Sequence, residues 1–268
     1  VAIVTVSRQM GSGGRRIGQL IAQRAGYAYF DKEKIIADIQ KIGGPWASWE
    51  REMDEACPTL WERFDRSFSG LVALVEKSIC EAALGNNVVI VGRGANIILQ
   101  GVPHAYHIRV VGPLELRVEW VAKHFDIPRD AALKFLKKID HDRACYLQAV
   151  YQSDWNDPRE YEAIFDVGIQ SEEEIVASVI ARLPDRDRLY TDEAAQKLKQ
   201  RTLAAKLKAA LLTEPELFIP ALEVSHTGTA LVVKGVIRSA KQHKRVQEIA
   251  HRIVPGEPLD LSQLQFPD

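Results

Sequence analysis

Three short stretches of this sequence combine residue types that grip phosphate. The first is Ser7-Arg-Gln-Met-Gly-Ser-Gly-Gly14, followed at once by Arg15 and Arg16. Glycines reach backbone angles that other residues avoid, so Gly11, Gly13 and Gly14, with Ser12 between them, can turn several N–H groups toward one anion. Arg15 and Arg16 put positive charge at the same mouth. The second stretch is Gly92-Arg93-Gly94, an arginine held between two glycines. The third is Asp140 and Arg143, whose spacing places them on one face of a helix. The chemistry these residues suit is the binding of a nucleotide or another phosphorylated ligand.

The surrounding pattern supplies elements to position them. Val1, Ile3, Val4 and Val6 form a β-branched run suited to a strand buried on both faces. After the loop, Ile17, Leu20, Ile21 and Ala25 recur at helical spacing, and Gly26 stands where a helix would be capped. Strand, glycine loop and helix together aim a helix N-terminus at a phosphate. The regular pattern G-x-x-x-x-G-K-[ST] is only approached, because Gly14 replaces the lysine and arginine follows one place later. For the loop alone, a tight strand-to-helix turn with solvated arginines is the plain alternative.

Along the chain, Ala28–Phe30 reads as a second strand ending at Asp31, which can cap a helix starting at Lys32. Gly43-Gly-Pro45 breaks that helix. Trp46, Trp49 and Trp61 follow; such residues stack on bases, but packing is their commoner use. From Leu60 a long helix is expected, with Trp61, Phe64, Phe68, Leu71, Val75 and Ile79 on one face. Val88–Val91 is a third strand, running straight into Gly92. That places Arg93 where open parallel sheets bind ligands. Tyr106–Val111 is a fourth strand, helices follow at 113–124 and across Asp140 and Arg143, and Ala163–Val167 is a fifth strand. Ser171-Glu-Glu-Glu174 is a capping box for a helix to Leu183. This alternation predicts an α/β domain, a parallel sheet with helices on both faces. Pro184–Arg188 reads as a linker. Beyond it come a helix over 192–212, strands over 218–224 and 230–237, a helix capped by Ser239, and a last strand over 259–264. These make a small α+β module.

The chain has 268 residues, with 35 Lys+Arg against 36 Asp+Glu, so charge gives no sign of a nucleic-acid or membrane-surface partner. No apolar run approaches a membrane span, and the first residues read as a working strand and not as a signal segment. Cys57, Cys80 and Cys145 have no metal spacing and suggest no disulfide framework; reduced thiols in a cytoplasmic protein are expected.

The stretches SRQMGSGGRRI, YFDKEKI, VVIVGRGANIIL and KKIDHDRACYL, in this order, resemble the cytidylate kinase-like family of P-loop nucleoside monophosphate kinase relatives, over residues 1–184. Residues 185–268 resemble a BON domain, a small module associated with phospholipid or partner binding. The resemblance implies a P-loop kinase-type fold, ATP and Mg²⁺ as cofactors, and transfer of the γ-phosphoryl group to CMP, dCMP or a related phosphorylated acceptor. It implies that Gly11, Ser12, Gly13 and Gly14 wrap the β-phosphate, with Arg15 or Arg16 standing in for the lysine. Asp31 would lie near the acceptor nucleotide, although capping its helix explains it equally. Arg93 would hold the monophosphate, Arg143 would bridge donor and acceptor phosphates, and Asp140 would belong to the same D-x-x-R. The plain alternative for Asp140 and Arg143 is an i, i+3 ion pair on a solvated helix face.

Two departures stand out. The loop lysine is missing, and the family's D-G-R-D has become Val91-Gly-Arg-Gly94, without either aspartate. A nucleotide-binding sensor with the C-terminal module as output is therefore the alternative, as is a kinase for another small phosphorylated acceptor. Acceptor recognition would depend on the region from Gly43 to Arg66, which matches no classical substrate-binding insert. The C-terminal module is expected to dock on a protein partner or a second copy of the chain and not on a membrane.

Overall fold

In the computed structural model of the chain, residues 1–43 and 56–266 are described. They divide into two compact units: residues 1–59 with 85–191, and residues 60–84 with 192–268.

The first unit is built on a parallel sheet of five strands in the order β2-β3-β1-β4-β5. The strands are β1 (Ile3–Arg8), β2 (Ala28–Phe30), β3 (Val88–Val91), β4 (Ala105–Val111) and β5 (Ala163–Asp166). Strand β1 is central; Val6 is in register with Val91 on one side and Ile108 on the other. It runs two residues past the apolar run, because Ser7 and Arg8 still pair with Arg109 and Val110. Its helices are α1 (Gly14–Ala25), α2 (Lys32–Gln40), the short α5 (Ala95–Ile98), α6 (Leu114–Phe125), α7 (Arg129–Tyr151) and α8 (Glu172–Asp187). Val4, Val6, Ile17, Ile21, Ile108 and Val179 belong to one buried core. Burial on both sheet faces accounts for the unbroken β-branched runs in β1 and β3.

Several expectations are corrected. The stretch 184–188 is no linker: α8 continues through Pro184 to Asp187. The Ser171 capping box is present as expected, so this helix has a firm start and a late end. The helix expected from Leu60 is two helices, α3 (Leu60–Phe64) and α4 (Arg66–Leu84). Asp65 divides them, its carboxylate accepting the N–H groups of Ser67 and Phe68 at 2.6 and 3.2 Å as a cap would. Trp61 is 83% exposed and lies off the buried face; Trp46 and Trp49 lie outside the described residues. Cys57 and Cys145 are joined in a disulfide, against the expectation of separate thiols, and Cys80 is the free cysteine. Sequence separation hid this pair, because only the fold brings position 57 to α7.

The second unit packs α4 against α9 (Asp192–Thr213). Lys208 pairs with Glu76 at 2.8 Å and Lys206 with Glu81 at 3.3 Å. Strand β6 (Glu223–His226) pairs antiparallel with β7 (Leu231–Val236), and β8 (Leu259–Asp260) and β9 (Leu264–Gln265) each pair parallel with β7. Helix α10 (Ala240–Ile253) buries Val246, Ile249 and Ala250. The strand expected over 218–224 is shorter and later. Pro220 offers no N–H to a ladder, and Leu217 and Ile219 are buried as loop residues. The expected last strand is two short pairings. No helix among the described residues is long and apolar enough to cross a membrane.

Candidate functional site

The parallel strands of the first unit end at one edge; the stretches after β1 and β3 leave from it, and Asp140 and Arg143 lie within α7. The loop between β1 and α1 turns on Gly11 (φ +77°) and Gly13 (φ +73°), a region that side chains rarely enter. Space adds a second constraint: a Cβ on Gly14 would lie 2.5 Å from Cβ of Arg8. Gly13 is the N-cap of α1, no side chain caps that end, and its first turn holds no acidic residue. The first helical bond runs from Ile17 N–H to Gly13 O at 3.0 Å, so the N–H groups of Gly14, Arg15 and Arg16 precede the hydrogen-bond ladder. They are the orphan donors of a helix N-terminus.

Ser12 serves the loop itself. Its hydroxyl donates to Gln9 O and Val110 O at 2.9 and 3.1 Å, and its N–H donates to Gln9 O. Asp140 holds the loop from the other side. One carboxylate oxygen accepts the Met10 N–H at 2.8 Å, and the other accepts from Arg117 at 2.6 Å. Arg117 also donates to Gly112 O and Met10 O, and this ion pair is largely buried. Asp140 is therefore a strut between α7, α6 and the loop, whatever else it does.

Arg15 and Arg16 are engaged within the protein. Arg15 pairs with Asp31 at 3.1 Å and Glu33 at 2.6 Å, which raises its pKa further. Arg16 pairs with Glu172 at 2.9 Å. Asp31 does cap α2, accepting the Glu33 N–H at 3.1 Å, and it is buried. It thus combines the cap with a bond to the loop arginine.

Arg93 and Arg143, 50 residues apart, line one small cavity together with Arg8, Ser7, Asn96 and Trp155. Its walls carry three guanidinium-bearing residues and no carboxylate residue. It holds about 10 Å³, room for roughly one water, so an anion would enter only as the arginines move apart. Arg93 sits at φ +60°, a conformation rare for a non-glycine residue. Gly92 makes room for Arg8: a Cβ there would lie 2.5 Å from an Arg8 guanidinium nitrogen. Arg143 donates to Arg8 O at 3.1 Å and lines the larger cleft as well. That cleft, of about 620 Å³, is lined by the glycine loop, Arg15, Arg16, Asp31, Lys32, Trp120, His124 and Phe125.

Other contributors were not singled out from sequence. Arg109, buried in β4, donates to Trp155 O and Asn156 and lies over the Trp155 ring at 4.4 Å; burial lowers its pKa. Trp155 in turn donates to Ser7 Oγ at 2.9 Å, bracing the end of β1 beneath the loop. A charged residue in the middle of an apolar strand was the available signal.

A central parallel strand ending in a glycine loop at an open helix N-terminus, with arginines facing it, defines a kinase-type nucleotide fold. The chain belongs to the cytidylate kinase-like family, whose model matches residues 3–169. It is 25% identical over 194 residues to a cytidylate kinase of Methanocaldococcus jannaschii, covering 68% of this chain and 98% of that protein. An uncharacterized protein from Eubacterium ventriosum has a similar fold, with a TM-score of 0.54 at 20% identity, covering 69% of this chain and 99% of that one.

The family implies ATP and Mg²⁺. The loop N–H groups and cleft cations fit a polyphosphate. For Mg²⁺, the cleft carboxylates Asp31 and Glu172 are paired with Arg15 and Arg16, so either would hold the ion, together with the nucleotide's phosphates, only once its arginine had turned to those phosphates.

Proposed function

We propose that the protein transfers the γ-phosphoryl group of ATP to a nucleoside monophosphate of the CMP or dCMP type. The observation that carries this reading is the position of Arg143. It lines both the cleft of the glycine loop and the arginine-walled cavity, so one guanidinium borders both prospective phosphate sites. Gly11, Gly13 and Gly14 would wrap the donor phosphates, with Ser12 shaping their loop. Arg15 or Arg16 would replace the missing lysine, and Arg93 with Arg143 would take the acceptor phosphate. Asp31 would lie at the acceptor side. Guanidinium forks suit this work because they bind phosphate oxygens bidentately, and phosphoryl transfer is catalysed mainly by positioning and charge stabilisation. The similarity to the M. jannaschii cytidylate kinase supports CMP as the first acceptor to try.

The ion pairs of Arg15 and Arg16 favour the second reading, a nucleotide sensor that binds without turnover. A BON-like C-terminal module that docks on a protein partner and a cytoplasmic setting remain parts of this proposal. ADP release from ATP, measured with CMP, dCMP, UMP and AMP as acceptors, decides between the readings. Turnover with CMP or dCMP supports the kinase; ATP binding with no acceptor-dependent turnover supports the sensor.

A further inference from the structure

Part of the wall of the cleft is aromatic and comes from α6. Trp120 and His124, one turn apart on α6, stack at 4.4 Å between ring centroids and 13° between planes. Phe125 stands edge-on to both, at 6.4 and 5.0 Å, and meets Phe135 of α7 at 5.4 Å. Trp120, His124 and Phe125 all line the cleft. Trp120 is 43% and Phe125 45% exposed.

These rings are not needed for the core of the α6–α7 hairpin. That core consists of Val118, Val121, Ala132 and Leu136, with Met10, Ala122, Ile127 and Leu133 packed against it. The same cluster takes in Met10 of the glycine loop, so the hairpin and the loop form one packed body. Leaving large rings open to water forgoes the gain of burying them, which is intelligible where a ligand covers them. The same cleft is lined by cations, by the glycine loop and by these rings. A nucleoside triphosphate brings the matching pair, an anionic chain and a flat base.

We propose that the Trp120–His124 stack is the platform for the base of the donor nucleotide, and that it accepts purines with little discrimination. The proposal rests on the reading that the glycine loop binds the donor's phosphates. Stacking uses the face of a base, which every base has, and so selects weakly. Phe125, edge-on to both rings, holds the stack in place, and Phe135 ties Phe125 to α7.

The test is calorimetric titration of the full chain with ATP, GTP and tripolyphosphate, in the wild type and in Trp120→Ala, Trp120→Phe and His124→Ala. A stacked base contributes an amount equivalent to roughly a tenfold change in affinity or more. Trp120→Ala should weaken ATP and GTP about tenfold and leave tripolyphosphate unchanged. Trp120→Phe should recover most of the loss, His124→Ala should fall between the two, and wild-type ATP and GTP affinities should agree within a few-fold. Equal losses for ATP and tripolyphosphate, or no loss for either, overturn the platform while leaving the phosphate site standing. A wild type that binds neither ligand overturns the phosphate site and the platform with it. Unchanged thermal melting of Trp120→Ala excludes misfolding as the cause of a loss.

Discussion

Arg15 and Arg16 stand at the mouth of the glycine loop, yet each closes an ion pair with a neighbouring carboxylate. Their side chains are 56% and 73% exposed, and their pairs with Glu33 and Glu172 are worth about 0–1 kcal/mol each; Arg15 also meets the buried Asp31 carboxylate. An incoming polyphosphate can exchange with such partners. The double variant Arg15→Ala/Arg16→Ala is therefore expected to weaken ATP binding about tenfold or more and to cost stability about 1–3 kcal/mol, mostly from the Asp31 carboxylate left without its guanidinium. Titration and denaturant unfolding of the same sample check both halves. Asp140 is the opposite case. Its partner Arg117 is buried, and removing one member of a buried pair costs about 3–5 kcal/mol because the other charge is stranded. Asp140→Ala should lose stability in that range, read from urea unfolding. Arg143→Ala should instead lower kcat on the order of a hundredfold with ATP affinity within about threefold, if its contact strengthens as charge develops in transfer. A parallel loss of ATP affinity would make Arg143 a ground-state binder.

At the level of elements, the first unit was largely legible because buried parallel strands write continuous β-branched runs and the helices carry clear periodicity. Gly11, Gly13 and Gly92 could be read as turn residues; that Gly92 leaves room for the Arg8 guanidinium could not, since the contact is set by tertiary structure. Pro184 misled for a local reason: proline usually marks an end, yet α8 carries it one turn before its own last residue. Trp61 misled because helical spacing says which residues share a face but not which face is covered. The disulfide was illegible for the same reason. It closes a loop of 88 residues between Cys57 and α7, and cross-links of this kind stabilise by about 2–4 kcal/mol. Melting with and without reductant should show a lower midpoint when reduced, and the variant Cys57→Ser/Cys145→Ser should match the reduced protein without responding to reductant. Cys80 on α4 differs: burial pushes its thiol up to about 12 from 9.0. A raised thiol pKa adds stability that is intact below about pH 9 and is lost as pH climbs toward 12. Wild type should lose more stability than Cys80→Ala between pH 8.5 and roughly 11, measured by denaturant midpoint.

Across the whole chain, α3 and α4 precede β3 in sequence but belong to the compact unit of the C-terminal residues. Cutting the chain after residue 191 would strip α9 from α4 and expose Leu71, Leu74, Val75 and Ile79, all buried in the full chain. The truncated protein is expected to aggregate or melt earlier, whereas cleavage in the exposed turn at Gly228 should leave ATP binding unchanged; light scattering and titration distinguish the two. The central claim is that donor and acceptor phosphates meet beside Arg143. Its most direct test is the affinity of a two-headed ligand in which adenosine and cytidine are joined by five phosphates. Bridging both sites makes the second contact intramolecular. The ligand should therefore bind far tighter than ATP or CMP alone, and Arg143→Ala should remove most of that advantage. Binding no tighter than ATP, or an advantage untouched by Arg143→Ala, would contradict the claim.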